Sequence, residues 1–196
     1  ADVDIQLLSV PGIRNPKVSD YAMESVERRF DALYIMDIEE RDAQNNVILS
    51  DAPVSVSNTV AGFLNRDIDS SFAAAYAPDV IIKDPGTGTN VKCPPSVAVL
   101  GAMSLNDRVK HPWFAPAGFN RASLPSTVEV NTRLNRSNLD DLYDAKINPI
   151  TKFPAPAGTT QANPVIWGQM TLLAAPSALD RICLLYTSPS PRDVCS

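Results

Sequence analysis

Four carboxylates and one arginine crowd into residues 37–42, where Asp37, Glu39, Glu40 and Asp42 surround Arg41. Oxygen-rich clusters can hold hard divalent cations. No second ligand cluster accompanies this one, and charge runs usually form wet faces, so it reads as a solvated acidic rim with Arg41 as local counter-charge. The run DPGTGTN at residues 84–90 offers a second chemistry. A phosphate cradle needs backbone N–H groups facing the anion, a helix start behind them and a lysine. No Gly-Lys-Ser/Thr is present and Pro94-Pro95 comes next, so a glycine-rich turn is expected. Acyl hydrolysis needs a serine, a histidine base and an aspartate that orients it. The single histidine, His111, is followed by Pro112 in a loop and reads as structural. Cys93, Cys183 and Cys195 form no CxxC or Cys/His set, which argues against zinc. No catalytic residue, cofactor or metal is assigned.

What remains are residues that position the chain. HPWFAPAGFNR at residues 111–121 is the most constrained stretch. Pro112 and Pro116 forbid a continuous helix, and Gly118 allows an unusual backbone angle or a close approach. Trp113, Phe114 and Phe119 are large apolar bodies on a chain that cannot form a regular element. A rigid connector pinned by aromatic anchors is expected, with Ala115 and Ala117 between them. Asn120 and Arg121 then supply donors for nearby carbonyls or a carboxylate.

The elements that must hold this connector read as follows. Residues 3–10 form an apolar strand closed by Pro11-Gly12. The loop at residues 13–16 lies where α/β folds keep ligands. Residues 17–31 form an amphipathic helix with Val18, Ala22, Val26 and Phe30 on the buried face and a Glu24–Arg28 pair on the wet side. Residues 32–38 form a second, doubly covered strand, which completes a parallel βαβ unit. A helix over residues 54–65 capped by Ser57 or Asn58, a strand at 80–82 and a helix at 96–106 opened by Pro94-Pro95 come next. Ala98, Gly101, Ala102 and Ser104 would let that last helix pack close to the sheet. A half-buried strand at 128–134 precedes a short helix capped by Ser137, with Leu139, Leu142 and Tyr143 as its apolar face. Ile147, Asn148, Pro149 and Ile150 end that helix. Residues 165–167 form a further strand, and Gly168 frees the chain beside it.

The chain has 196 residues, 44% hydrophobic and 20% charged, as ordinary globular proteins do. A net charge of −5 with interspersed signs excludes general nucleic-acid binding. Apolar runs fall short of the roughly 20 residues that span a bilayer. Seventeen prolines, crowded between Pro94 and Pro164, imply many fixed loops in the second half.

Four blocks carry a resemblance: PWFAPAGFNR, LDDLYDAKINPI at residues 139–150, VIWGQMTL at 165–172 and SALDRI at 177–182. In this order and spacing they resemble the C-terminal region of contractile tail sheath proteins, strongly over residues 94–182 and more loosely over residues 4–93. The resemblance implies an α/β fold: a partial subtilisin-like layered domain with a parallel-rich sheet over residues 1–107, then a small α+β C-terminal sheath domain over 108–182. It implies a structural subunit that stacks as hexameric rings around an inner tube and contracts to drive that tube through a host envelope. Its partners would be copies of itself, the tail tube protein, and baseplate and tail terminator proteins, with no nucleic acid and no membrane insertion. Its place would be the virion tail sheath, assembled in the host cytoplasm. Pro112, Trp113, Ala115, Pro116, Ala117, Gly118, Asn120, Arg121, Leu142, Tyr143, Asn148, Pro149 and Gly168 would brace the C-terminal domain. Asp180 and Arg181 would sit near the base of a C-terminal arm. The alternative is an α/β hydrolase or metal-dependent enzyme using residues 13–16 and 37–42, although the Gly-Thr-Ser motif of subtilases is absent from the sequence.

The string CLLYTSPSPRD at residues 183–193 resembles the translation of a transposon-end sequencing adapter. Residues 183–196 are therefore expected to be an artefactual, disordered tail on a C-terminally truncated chain, with the true N-terminus also missing. Cys93 would then be the one native cysteine, which fits a reducing cytoplasm.

Overall fold

The computed structural model describes residues 5–49, 52–109, 114–154, 163–175 and 177–182. The tail expected at residues 183–196 lies outside them. A parallel-rich sheet organises the chain, in the order β1-β2-β3-β7-β8. Its strands are β1 (Leu7–Ser9), β2 (Leu33–Asp37), β3 (Ala73–Ala77), β7 (Ile147–Thr151) and β8 (Val165–Ile166). The first four are mutually parallel and β8 runs antiparallel. A second, antiparallel sheet has the order β5-β4-β6, from β4 (Val80–Lys83), β5 (Asn90–Cys93) and β6 (Thr127–Val130). The four helices of the described residues are α1 (Pro16–Arg29), α2 (Val56–Leu64), α3 (Pro95–Val109) and α4 (Arg136–Asp144).

Both faces of the large sheet are covered. Val26 of α1, Phe63 of α2 and Leu142 of α4 pack with Tyr34, Met36 and Ile147 on one face. Val99 and Met103 of α3 pack with Ile35, Tyr76 and Ile166 on the other, together with Val80 and Val130 of the small sheet. Alternate residues of β2 and β3 therefore serve opposite cores, and all five residues of each strand are buried. The βαβ unit forms as the sequence predicts. Asn15 caps α1, its side chain accepting from the Lys17 amide at 3.0 Å, and Pro16 opens the helix.

Several local expectations differ. Phe30 leaves the helix in the left-handed region at φ 59° and is 70% exposed; Val18 is 43% exposed, and Ser19 joins the expected Ala22 and Val26 on the core face. Arg28 reaches Ser25 Oγ and the Tyr21 ring rather than forming the expected pair. Ser55 caps α2 and Asn135 caps α4, each one turn or less ahead of the residues expected. Gly101 and Ser104 are exposed, while Val99, Ala102 and Met103 meet the sheet. Residues 147–150 do not merely stop α4. They form β7, wholly buried. β3 and β5 had no counterpart in the sequence reading. β3 pairs directly with β7, from opposite sides of the boundary expected between residues 107 and 108. No helix of the described residues is long and apolar enough to cross a membrane.

Candidate functional site

At the carboxyl ends of β1, β2 and β3, side chains from five segments meet. Asp37, 2% exposed, ends β2. It accepts from the Gly12 amide at 3.0 Å and from the Ser96 amide and hydroxyl at 2.9 and 2.8 Å. Gly12 takes φ 77°, which turns the loop after β1 towards that carboxylate. Ser96 lies in the first turn of α3, where unpaired amides favour a negative charge. Arg14, carried on the same loop, pairs with Asp79 and lies 3.5 Å from Glu40. Lys92 of β5 approaches Asp79 at 3.6 Å, and the Asp79 amide donates to Glu40 at 3.3 Å.

Glu40 and Asp79 are 3% and 4% exposed. Burial pushes the Glu40 carboxyl above the usual carboxylate range, helped by the Asp79 charge and opposed by Arg14. Burial also raises Asp79, against Arg14 and Lys92. The solvated rim expected at residues 37–42 is thus corrected. Two of its four carboxylates are buried, and the counter-charge of Glu40 is Arg14. Arg41 pairs with Glu39 at 3.6 Å. Asp42 closes a turn by accepting from the Gln44 and Asn46 amides, which lowers its carboxyl. The cluster opens into a cleft of about 490 Å³ edged by Val47, Ile48 and Leu49. Among the described residues no group of three or more His, Cys, Asp or Glu is placed to hold a metal ion. Residues 84–89 form the turn between β4 and β5, with Asp84 accepting from the Gly86 amide, and Asn90 opens β5.

The predicted bracing residues divide. Pro112 and Trp113 lie outside the described residues, as does His111. Gly118 and Ala122 bracket Ile166 of β8: the Gly118 amide donates to the Ile166 carbonyl and the Ile166 amide to the Ala122 carbonyl, at 2.9 and 3.1 Å. Pro116 is buried, and Ala115 and Ala117 are half-buried. Gly118 holds φ 83°. Phe119 is 56% exposed, lies tilted on Phe153 at 5.4 Å and edge-on to Trp167 at 5.5 Å between ring centroids, so it is no core anchor. Asn120 is exposed, and Arg121 lies over the Phe114 ring at 5.1 Å rather than on a carboxylate.

Leu142 is buried under the sheet, whereas Tyr143 is 54% exposed. Asn148, fully buried in β7, is a clamp. Its Nδ2 donates to the carbonyls of Ala75 and Met170 at 3.2 and 2.8 Å, and its Oδ1 accepts from the Met170 amide at 2.7 Å. A Cβ on Gly168 would lie 2.5 Å from that Oδ1, so only glycine permits this approach. The Pro149 carbonyl accepts from the Trp167 amide at 2.8 Å. Asp180 accepts at its carbonyl from the Thr171 amide, and Arg181 bridges to Met170. Gly118, Asn148, Pro149, Gly168, Asp180 and Arg181 therefore converge on residues 166–172. Tyr143 and Asn120 stand apart. The sequence reading missed Arg14, Asp79 and Lys92 as a set; a lone arginine in a strand-end loop was the one local signal.

No family model matches the chain. Its sequence is 29% identical over 118 residues to the tail sheath protein of Enterobacteria phage T4, covering 60% of this chain and 17% of that one. It is 33% identical over 84 residues to the tail sheath protein of Vibrio phage KVP40, covering 43% and 12%. In fold it is similar to the contracted helical sheath of the anti-feeding prophage, with TM-score 0.59 and 19% identity over 93% of this chain and 43% of that one. It is also similar to a sheath tail protein from Desulfitobacterium hafniense, with TM-score 0.55 and 12% identity over 94% and 36%. The chain spans less than a fifth of these two curated relatives and less than half of these two structures.

Proposed function

We propose that this chain is part of a contractile tail sheath subunit, a structural protein and not an enzyme. The observation that carries the reading is the agreement of two likenesses: sequence identity to two phage tail sheath proteins, and a fold shared with a contracted sheath over 93% of the chain. Subunits would stack as hexameric rings around an inner tube and wind as a helix through contacts between unlike patches, which continue rather than close. Contraction would release a metastable extended array into a tighter one and drive the tube through the host envelope. Partners are copies of the chain, the tube protein, and baseplate and terminator proteins; the site is the virion tail, assembled in the host cytoplasm.

In this role the charged groups serve geometry. Arg14 pairs with Asp79 and approaches Glu40, and Lys92 approaches Asp79, so these charges hold the strand-end loops against the small sheet. Residues 112–121, with Leu142, Asn148, Pro149 and Gly168, act as a brace that keeps the body rigid while strain collects in extended arms. Asp180 and Arg181 lie where such an arm would depart.

Immunogold electron microscopy tests the reading. Antibody raised against this chain should decorate the shafts of contractile tails from the virus or cell that encodes it. Gold confined to capsids, or absent from every tail, would overturn it.

A further inference from the structure

We infer that the cleft at the strand ends is a socket for the basic, aromatic end of α1 from a second copy of this chain, joining copies head to tail. The inference rests on the sheath reading, because a helical array needs contacts between two different patches.

Glu40 is 3% exposed and lines the cleft, yet among the described residues no hydrogen bond reaches its Oε2. Its charge contact there is Arg14 at 3.5 Å. Buried carboxylate oxygens are nearly always bonded, so this oxygen points to a donor that arrives from outside. Arg14 and Lys92 match Glu40 and Asp79 in formal number, but burial outweighs them and both carboxyls stay above their usual range. A guanidinium is the ligand that would complete the set. The rim suits an aromatic ring beside that cation: Leu49 is 95% exposed and Val47 is 39% exposed.

The matching knob is on the same molecule. Phe30 is 70% exposed at the end of α1, where Arg28 and Arg29 also lie, and Tyr21, 67% exposed, stands about two turns back along the helix. Arg29 is held by two bonds to Asp31. Arg28 rests on Ser25 Oγ at 3.2 Å and over Tyr21 at 5.9 Å, both surface contacts it can exchange. Asn15, the cap of α1, lines the cleft. The helix has 14 residues, so socket and knob are separated by about 21 Å along one axis. A copy docked in this way repeats along α1 and does not close into a pair.

Sedimentation velocity of the whole chain over a concentration series reads the contact. Wild type should associate with rising concentration. Arg28→Glu, Glu39→Lys (a second carboxylate lining the cleft, 3.6 Å from Arg41) and the rim variant Leu49→Asp should each weaken association about tenfold or more. Arg28→Glu mixed with Glu39→Lys should associate again, because each then offers what the other lacks. A wild-type chain that stays monomeric, single variants that associate as wild type, or a mixture that stays dissociated would each overturn the socket. Circular dichroism of Leu49→Asp, altered at an exposed position, separates lost docking from lost folding. Tails that take up gold while the mixture fails to associate would refute the socket and leave the sheath reading standing; bare tails would refute the sheath reading itself.

Discussion

Gly168→Ala should be among the most damaging single-methyl changes in the chain. The new Cβ would lie 2.5 Å from Asn148 Oδ1, 2.9 Å from Asn148 Cα and 3.0 Å from Asn148 Cβ. The Oδ1 cannot swing aside without losing the Met170 amide, and its Nδ2 partner atom would leave the Ala75 and Met170 carbonyls. Nor can the Cα retreat easily, because Asn148 is in register with Tyr76 across the β3–β7 ladder. Overpacking of this kind costs about 1–3 kcal/mol. Loss of three buried hydrogen bonds, each worth about 1 kcal/mol net, adds a comparable amount. A total near 4 kcal/mol corresponds to a Tm lowered by about 10 °C in a chain of this size. Urea denaturation followed by far-UV circular dichroism reads the midpoint directly. Gly101→Ala is the control: it is exposed in α3 with nothing within 4 Å of its Cβ, and should gain about 0.5–1 kcal/mol. A Gly168→Ala midpoint equal to wild type would mean that the approach to Asn148 is slack, and that the clamp fixes nothing.

Gly118→Val should cost about 2–3 kcal/mol, since a β-branched residue must hold φ 83° while keeping the bond to Ile166; an unchanged melting curve would exclude bracing at that turn. Glu40 tests the charge cluster through pH. Its folded carboxyl is raised by burial, so its contribution to stability is complete below the unfolded value and is lost as pH rises through the folded one. Stability should therefore gain from Glu40 as pH falls from neutral towards the ordinary carboxylate range, with Asp79 acting in the same direction, and Glu40→Gln should flatten that gain. Equal slopes for the two proteins in urea midpoints over that pH range would contradict a buried, under-compensated carboxylate.

Periodicity carried the β1–α1–β2 unit, because an amphipathic helix between two apolar strands leaves one solution. It misplaced Phe30 because a left-handed residue at a helix end drops out of the stripe that spacing assigns it to. β3 was hidden for a different reason. Its AAAYA sequence favours helix intrinsically, and only burial between helices on both faces makes small side chains useful in a strand. Pro149 read as a helix stop because proline is rare inside sheets. It is tolerated in β7 at the last β3 partner position, opposite Ala77, where the ladder is already ending. Of the bracing residues, Gly168 and Asn148 were visible as residue types but not as partners, since their contact spans twenty positions. The charge cluster was the least legible. Arg14 and Asp79 are 65 residues apart, and nothing local distinguishes a carboxylate that will be buried from one that will stay wet.

That cluster bears on why a subunit of the proposed mechanical role would keep ions in its interior at all. Buried ion pairs are weak evidence of stability, because desolvation offsets much of their attraction. Apolar packing between layers is non-directional, so on its own it resists separation better than sliding. Charge and hydrogen-bond contacts have defined partners and distances. Arg14 from the loop after β1, Glu40 from the loop after β2, Asp79 before β4 and Lys92 on β5 tie the large sheet to the small one at one end. At β7, Asn148 ties β3 to residues 168–170 in the same manner. Register between layers would then be fixed by polar contacts that add little net energy, while the two apolar cores supply the cohesion. A body built this way can turn as a unit when its neighbours move, which is the property the proposed role demands of it.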